Sequence, residues 1–414
     1  MAKVNKYEWI IGEELPQIDE HSIVKLEILE RYVEIYLRYL SNNPFQSNLK
    51  LNIIDGFSGG GIYKGNILGS PLRIKQTIEK TKKIITFERE QSNCMPMNFD
   101  IDYRFIEKKK NTYNFLEYSL KEYNLYCDKT KCILGEFTSY LDAIILETKT
   151  KTRSGRSIFI LDQYGYADAP IKSIKKIFQE LDSTEVILTF SIDSLIDYLS
   201  KENTKVLENQ GLTKNEIEKI FDEKDDNDFS RSKIQPIIYK IIVQQVNAPY
   251  YTPFFIKSDV SNRAYWLFHF STHPTARDEM MKLHWEKQNT FIHYGGAGLK
   301  MLIGYSGEYK NTLFKNEAYE FNDFSKEKSI DTLSKEIPRM IHTSKEITFE
   351  TLKNSIINET PVTENILRES LSNSLESGEI EIKSADKLSK RKKFTTIKKD
   401  DFLIWKGQKQ LSFF

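Results

Sequence analysis

Two stretches of the 414-residue chain gather residue types that could do chemistry. In one, Asp162, Gln163 and Tyr164 follow directly on the apolar run Ile158–Leu161, with Gly165 after them. An acid, an amide and an aromatic at one strand end suit the holding of a flat, amine-bearing ring. Asp162 accepts hydrogen bonds from the amine, and Tyr164 stacks on the ring. An ordinary polar strand end with Tyr164 packed on the core uses the same residues. In the other, NIIDGFSGGG at Asn52–Gly61, an apolar run ends in Asp55 and a glycine-dense turn follows. Glycines let the backbone take positive φ and come close to a ligand, although a plain tight turn needs them too. Counting from Gly59 and Gly61, the third position of a G-x-G-x-x-G spacing is Lys64. That argues against a nicotinamide-dependent dehydrogenase.

Further acids end apolar runs in the same way. Glu107 follows Tyr103–Ile106, and Glu136, next to Phe137, follows Lys131–Leu134 and Gly135. Glu88 and Glu90, after IITF, compete with Glu107 for any role at a second strand. Cys94, Cys127 and Cys132 form no C-x-x-C pair and are odd in number, so reduced thiols are expected, without a disulfide framework or zinc site. His269, His273 and His284 lack zinc-helix spacing and read as structural histidines. The acidic stretch Phe221–Ser230 lacks the glycine and spacing of a calcium loop and reads as a surface loop. The net charge is only +1, so any basic footprint must be local. No apolar run approaches the ~20 residues of a membrane span. The first residues carry acids where a signal peptide has its apolar core, and a cytoplasmic protein without a membrane partner is expected.

The elements that must position these residues alternate between strand and helix. Asp19–Leu40 has the periodicity of an amphipathic helix and precedes the strand Leu51–Ile54. Ser70 suits an N-cap and Pro71 the first turn of a helix running to about Lys80, with a short strand at Lys83–Phe87. Helices are expected over Asn111–Tyr123 and Ile171–Leu181, a fifth strand over Val186–Phe190, and helices over Ser194–Gln210, Ile234–Val246 and Thr275–Trp285. Pro253–Lys257 and Ala264–Phe270 read as an antiparallel pair closing the sheet. The last part differs in kind. Helices at Phe349–Glu359 and Thr363–Ser377, the latter capped by Thr363 and stopped by Gly378, precede strands at Glu379–Ile382 and Phe394–Ile397. Helices followed by a β-hairpin match a winged-helix module. From Glu381 to Lys399 eight Lys or Arg face two acids, and Lys390, Arg391, Lys392 and Lys393 at the hairpin tip are candidate phosphate contacts. A protein-interaction module is the other reading. Residues 1–310 are thus expected as an α/β domain, 311–344 as a linker and 345–414 as a winged-helix-like domain.

The motif Asp55-x-Phe57-x-Gly59-x-Gly61 resembles the first motif of S-adenosylmethionine-dependent methyltransferases, especially those acting on nucleic-acid bases. Glu107, Glu136 and Asp162-Gln163-Tyr164-Gly165 follow in the family's order, each after a candidate strand. More narrowly, the chain resembles the three-Cys-motif partner protein (TcmP) family. That likeness rests on HSIVKLEILERYVEIYL before IIDGFSGGGIY, on GSPLRI, on IFILDQYGY and on YWLFHFSTHPTARDEMMKLHW. The resemblance implies a Rossmann-like methyltransferase sheet, parallel with a closing antiparallel hairpin, and a bacterial origin. It implies S-adenosylmethionine as cofactor, held by Asp55, Phe57, Gly59 and Gly61, by Glu107 on the ribose hydroxyls, and by Glu136 and Phe137 at the adenine. Asp162 and Tyr164 would be the catalytic pair acting on an exocyclic amine of DNA or RNA. Gln163 and Gly165 depart from the D/N-P-P-Y/F tetrad of amino-methyltransferases, which leaves open a catalytically degenerate partner or sensor subunit, with a three-Cys-motif protein as its partner. Cytosine C5 chemistry is disfavoured, because Cys94 lies in N-C-M-P and not in a Pro-Cys turn.

Overall fold

The computed structural model describes residues 7–163, 167–198, 204–209, 212–225, 231–257, 264–287, 292–294, 297–299 and 318–407. Among them, seven strands form one sheet. They are β1 (Asn48–Asp55), β2 (Asn98–Glu107), β3 (Thr130–Leu134), β4 (Ser157–Asp162), β5 (Thr184–Phe190), β6 (Tyr250–Lys257) and β7 (Ala264–Ser271). The order across the sheet is β3-β2-β1-β4-β5-β7-β6. The first five are parallel, and β7 runs antiparallel to both of its neighbours. This is the expected parallel methyltransferase-like sheet with its closing antiparallel hairpin. Parallel strands covered on both faces read as continuous apolar runs. Accordingly β5 is buried along its whole length, and β1 and β4 along most of theirs.

The helices between the strands are α1 (Glu20–Leu40), α2 (Ser70–Gln91), α3 (Lys110–Glu122), α4 (Phe137–Lys151) and α5 (Ile171–Glu180). After β5 come α6 (Ile192–Tyr198), α7 (Lys205–Asn209), α8 (Lys214–Asp225) and α9 (Arg231–Val246), and after β7 comes α10 (Pro274–Glu286). Helix α1 buries Leu26, Leu29, Val33 and Leu37, the stripe its periodicity predicts.

Several boundaries differ from expectation. Helix α2 does not end near Lys80, and Lys83–Phe87 is helix, not strand. Ile74, Ile78, Thr81, Ile85 and Arg89 continue one buried face at helical spacing. Arg89 repays its burial with hydrogen bonds to the carbonyls of Ser41, Asn43, Pro44, Gln46 and Met95, fixing the entry into β1. Ser70 is the first helical residue, with Gly69 at the N-cap position. Among the described residues, the expected helix over Ser194–Gln210 is represented by α6 and α7. The acidic stretch expected as a loop is helical as far as Asp225, where α8 ends; residues 226–230 and the turn 258–263 lie outside the described residues.

The described residues fall into two compact units, one of 1–234 with 241–283, the other of 235–240 with 284–414. In the second, α11 (Asp323–Ser344), α12 (Phe349–Ile356), α13 (Glu364–Ser370) and α14 (Ser372–Glu376) pack with β8 (Glu346–Thr348), β9 (Ile380–Lys383), β10 (Lys390–Arg391) and β11 (Phe402–Trp405). The strand order is β8-β11-β9-β10. Helices followed by an antiparallel wing are the expected winged-helix pattern. The stretch expected as a linker carries α11 instead, and its Leu333, Ile337 and Ile341 are fully buried in the core with Phe349, Leu367 and Leu403. The expected strand Phe394–Ile397 is a 3-10 turn at Phe394–Thr396, and the strand pairing with β9 along its length is β11. Thr363 caps α13 as expected, accepting from the Ile366 amide. All three cysteines are free. No described helix is long and apolar enough to cross a membrane.

Candidate functional site

The sheet register gathers the candidate acids at one edge. Asp55 ends β1 opposite Phe105 of β2 and Ile160 of β4, so Glu107 and Asp162 each lie two residues further on. Glu107 is level with Leu134 of β3, with Glu136 just beyond. Four adjacent parallel strands therefore deliver Glu136, Glu107, Asp55 and Asp162 to their carboxyl ends. Between β1 and β4 the strand order reverses, the place where open α/β sheets bind ligands.

Asp55 is fully buried. Its Oδ1 accepts from the Phe57 amide at 3.1 Å and its Oδ2 from the Ser70 hydroxyl at 2.6 Å. Burial pushes its carboxyl up to about 7, against the two hydrogen bonds that favour the anion. Asp55 thus builds the turn and ties it to α2. Gly59 and Gly61 take φ of +60° and +84°. The Gly59 amide donates to Glu107 Oε2 at 3.1 Å, and the Lys109 amide to Oε1 at 2.8 Å. Glu107 is thereby fixed beside the turn with acceptor capacity left on each oxygen. Its competitors are elsewhere: Glu88 and Glu90 lie on α2, and Glu88 pairs with Arg38 at 3.0 Å.

Glu136 stands exposed at the N-cap position of α4. Phe137 is buried beneath Gly56, with its ring 6.1 Å from that of Phe57. Asp162 is about one-third exposed and takes Lys25 Nζ of α1 at 2.6 Å. Gln163 turns inward: its Oε1 accepts from the Ala169 amide at 2.9 Å, and its Nε2 is buried without a hydrogen-bond partner among the described residues. Tyr164 and Gly165 lie outside the described residues.

Three residues near this edge have no local sequence signal. Lys25 meets Asp162 across 137 positions of chain, in a helix whose periodicity announces only packing. Trp9 lies over Gly59 and Gly60 and donates from its indole to the Ile62 carbonyl at 2.6 Å. Tyr63 packs edge-on to Trp9 at 5.3 Å. Burial, then the carboxylates of Asp162, Asp55, Asp19 and Glu107, push the Tyr63 phenol well above its usual range, so its ring stands among the acids of the site. None of the three could have been found from its neighbours in the chain, since each meets the site through distant residues.

On the wing, Lys390 pairs with Glu381, and Lys406 Nζ reaches the same carboxylate at 2.8 Å. Arg391 binds the buried Asp401 at 2.7 Å. Lys392 and Lys393 are exposed.

Residues 308–387 match the family described as the GMT-like wHTH domain. Among solved structures the chain is similar to M. jannaschii TYW2 in complex with AdoMet, at 14% identity over 57% of this chain and 74% of that one, with a TM-score of 0.25. It is similar to a SAM-dependent methyltransferase from Agrobacterium tumefaciens at 8% identity over 62% of this chain and 63% of that one, with a TM-score of 0.32. It is also similar to the O-methyltransferase from Bacillus cereus in complex with SAH, at 9% identity over 61% and 92%, with a TM-score of 0.29. No curated protein matches the chain.

Proposed function

We propose that the protein is an S-adenosylmethionine-dependent methyltransferase acting on an exocyclic amine of a nucleic-acid base. The observation that carries this reading is the row of acids at the carboxyl ends of β3, β2, β1 and β4, with Glu107 locked onto the glycine turn. The residues fit the cofactor. Glu107 has acceptor capacity for two ribose hydroxyls, the turn of Gly59 and Gly61 holds it in place while Trp9 and Leu72 pack over those glycines, and Glu136 is exposed where an adenine amine needs an acceptor. S-adenosylmethionine supplies an activated methyl group, so the protein's task is placement more than acid–base catalysis. Asp162 accepts a hydrogen bond from the substrate amine, aims its lone pair and takes up the proton released. Lys25 takes only Oδ1 of Asp162, which leaves Oδ2 for that contact. Tyr164 or Tyr63 supplies the stacking face for a base turned out of its helix. Lys392 and Lys393 are the wing residues best placed to meet phosphates.

Calorimetric titration with S-adenosylmethionine and S-adenosylhomocysteine, followed by labelled-methyl transfer to DNA and RNA pools, tests the reading. Micromolar binding of both is expected. Asp162→Ala should abolish transfer while keeping cofactor affinity. Absence of binding to either would overturn the proposal, and transfer that survives Asp162→Ala would remove that residue from its role.

A second reading is a cofactor-binding partner or sensor subunit, within a TcmP-like assembly. The Lys25–Asp162 ion pair and the inward turn of Gln163 favour it, since both draw the strand-end residues into the protein's own contacts. Cofactor binding without transfer to any nucleic acid is its expected signature.

A further inference from the structure

A cavity of about 300 Å³ lies at the opposite end of the sheet from the glycine turn. Arg156, just before β4, and Asp182 and Ser183, just before β5, form one side, and Thr272, His273, Thr275 and Ala276, after β7, form another. The second half of α1 supplies the remaining wall through Tyr32, Tyr36 and Tyr39. Ligand sites are typically concave spaces of roughly 300–1,000 Å³ lined by aromatics with a few placed polar groups, and this one is at the small end.

Its chemistry is set by Glu185, the second residue of β5, which lines the cavity and is only 5% exposed. Among the described residues, its two hydrogen bonds converge on one carboxylate oxygen. Oε2 receives the Tyr32 hydroxyl and faces His269 Nε2 at 2.9 Å. His269 Nδ1 is buried without a hydrogen-bond partner among the described residues. No Lys or Arg among the described residues pairs with Glu185. A buried carboxylate of this kind is costly unless a cation meets it. The lining carries three carboxylates, Asp182, Glu185 and Glu279, against Arg156 as its one Lys or Arg. Glu279 already has Lys282 at 2.7 Å. Asp182 and Glu185 then outnumber Arg156 on the lining. Tyr32 and Tyr36, with centroids 6.2 Å apart and planes tilted by 38°, give an aromatic wall that accommodates methylenes and a cationic head.

We infer that this cavity is a second small-molecule site, taking a primary amine on a compact apolar body, its ammonium against Glu185 and its body along Tyr32 and Tyr36. Arg156 gives the same cavity one place for an anionic group, so an amino-acid zwitterion belongs to the class and a simple carboxylate does not. The site is independent of the methyltransferase reading.

Titration of the full chain with 2-phenylethylamine, phenylalanine and 3-phenylpropanoate, by calorimetry and by NMR, tests it. These probes share one skeleton and differ in amine and carboxylate. The two amine-bearing probes should bind and the carboxylate alone should not. Glu185→Gln keeps an acceptor for Tyr32 but removes the charge, and should weaken amine binding about tenfold or more. Ala276→Phe fills the cavity while leaving the Glu185 carboxylate in place and should abolish binding; it decides the matter should Glu185→Gln fail to fold. Failure of both amines to bind, equal binding of all three probes, or unchanged affinity in Ala276→Phe would each overturn the proposal.

Discussion

Asp55 and Glu107 both hold the glycine turn, and their environments predict different behaviour. Asp55 is buried with a carboxyl raised to about 7, above its value in the unfolded chain. A raised carboxyl binds its proton more tightly in the folded state, so its contribution to stability is full below about pH 4 and is lost as pH rises through about 7. Asp55→Asn keeps an acceptor for the Phe57 amide and a partner for Ser70 but cannot ionise. Relative to wild type the variant should gain stability between about pH 5 and 8, by up to a few kcal/mol, visible in denaturant melts as a flattened pH profile. Unchanged profiles would mean that Asp55 ionises freely in the fold. For Glu107 the expectation concerns affinity. Glu107→Gln retains an acceptor only on one side and disturbs the anchor for Gly59 or Lys109, so S-adenosylmethionine affinity should fall by about tenfold to a hundredfold in calorimetry. The roles were unequally legible in sequence. Glu107 follows its strand as the pattern requires, whereas Asp55 looks like a ligand contact and proves to hold its own backbone. A strand-end acid announces a position; which lone pairs stay free depends on Ser70 and Phe57, and only the folded turn decides that.

The glycine turn and the aromatic segment before α1 behave as one element. Gly60 has no unusual φ to explain it. A Cβ there would meet the Trp9 ring at 2.3 Å, against several rigid atoms at once. The close approach that the glycines permit is thus used in part by the protein's own indole. Trp9 in turn stacks on Tyr7 at 6.0 Å, and Tyr7 is tied back to Asp19 at 3.0 Å and, through its carbonyl, to Lys109. Gly60→Ala should push Trp9 outward, with a red-shifted and more quenchable tryptophan emission and a lowered melting temperature. An unshifted emission would show that the segment does not rest on the turn in solution. Strands β1 to β4 were readable because each is a short apolar run with an acid at or just past its end, and the fold class followed from the alternation of strands with helices. This packing was not readable, because sequence shows the partners of a glycine only when they are near in the chain, and Trp9 is some fifty residues away. The same limit hid Lys25. The missed length of α2 has a different cause: Lys83–Phe87 is apolar enough for a strand, and only the continuing buried face through Ile85 and Arg89 makes it helix.

Across the whole molecule the charge is nearly balanced, at a net of +1, so a nucleic-acid partner must be met by local surfaces. The wing holds the densest basic run, but part of it is committed. Glu381 is held down to about 2 by hydrogen bonds from Lys390 and Lys406, and Arg391 is spent on the buried Asp401. The predictions for these residues therefore differ in kind. Lys392 and Lys393 face solvent, so replacing both by Glu should leave the fold intact, weaken nucleic-acid binding and reduce the slope of log affinity against log salt by about 2, one for each lost phosphate contact. Arg391→Ala removes the partner of a buried carboxylate and should cost about 1–3 kcal/mol of wing stability. Any loss of affinity in that variant should track unfolding and not salt. If the double Glu variant binds nucleic acid as wild type does, with an unchanged salt slope, the wing is not the phosphate contact. Its paired charges would then be those of a surface that meets another protein, as the partner-subunit reading requires.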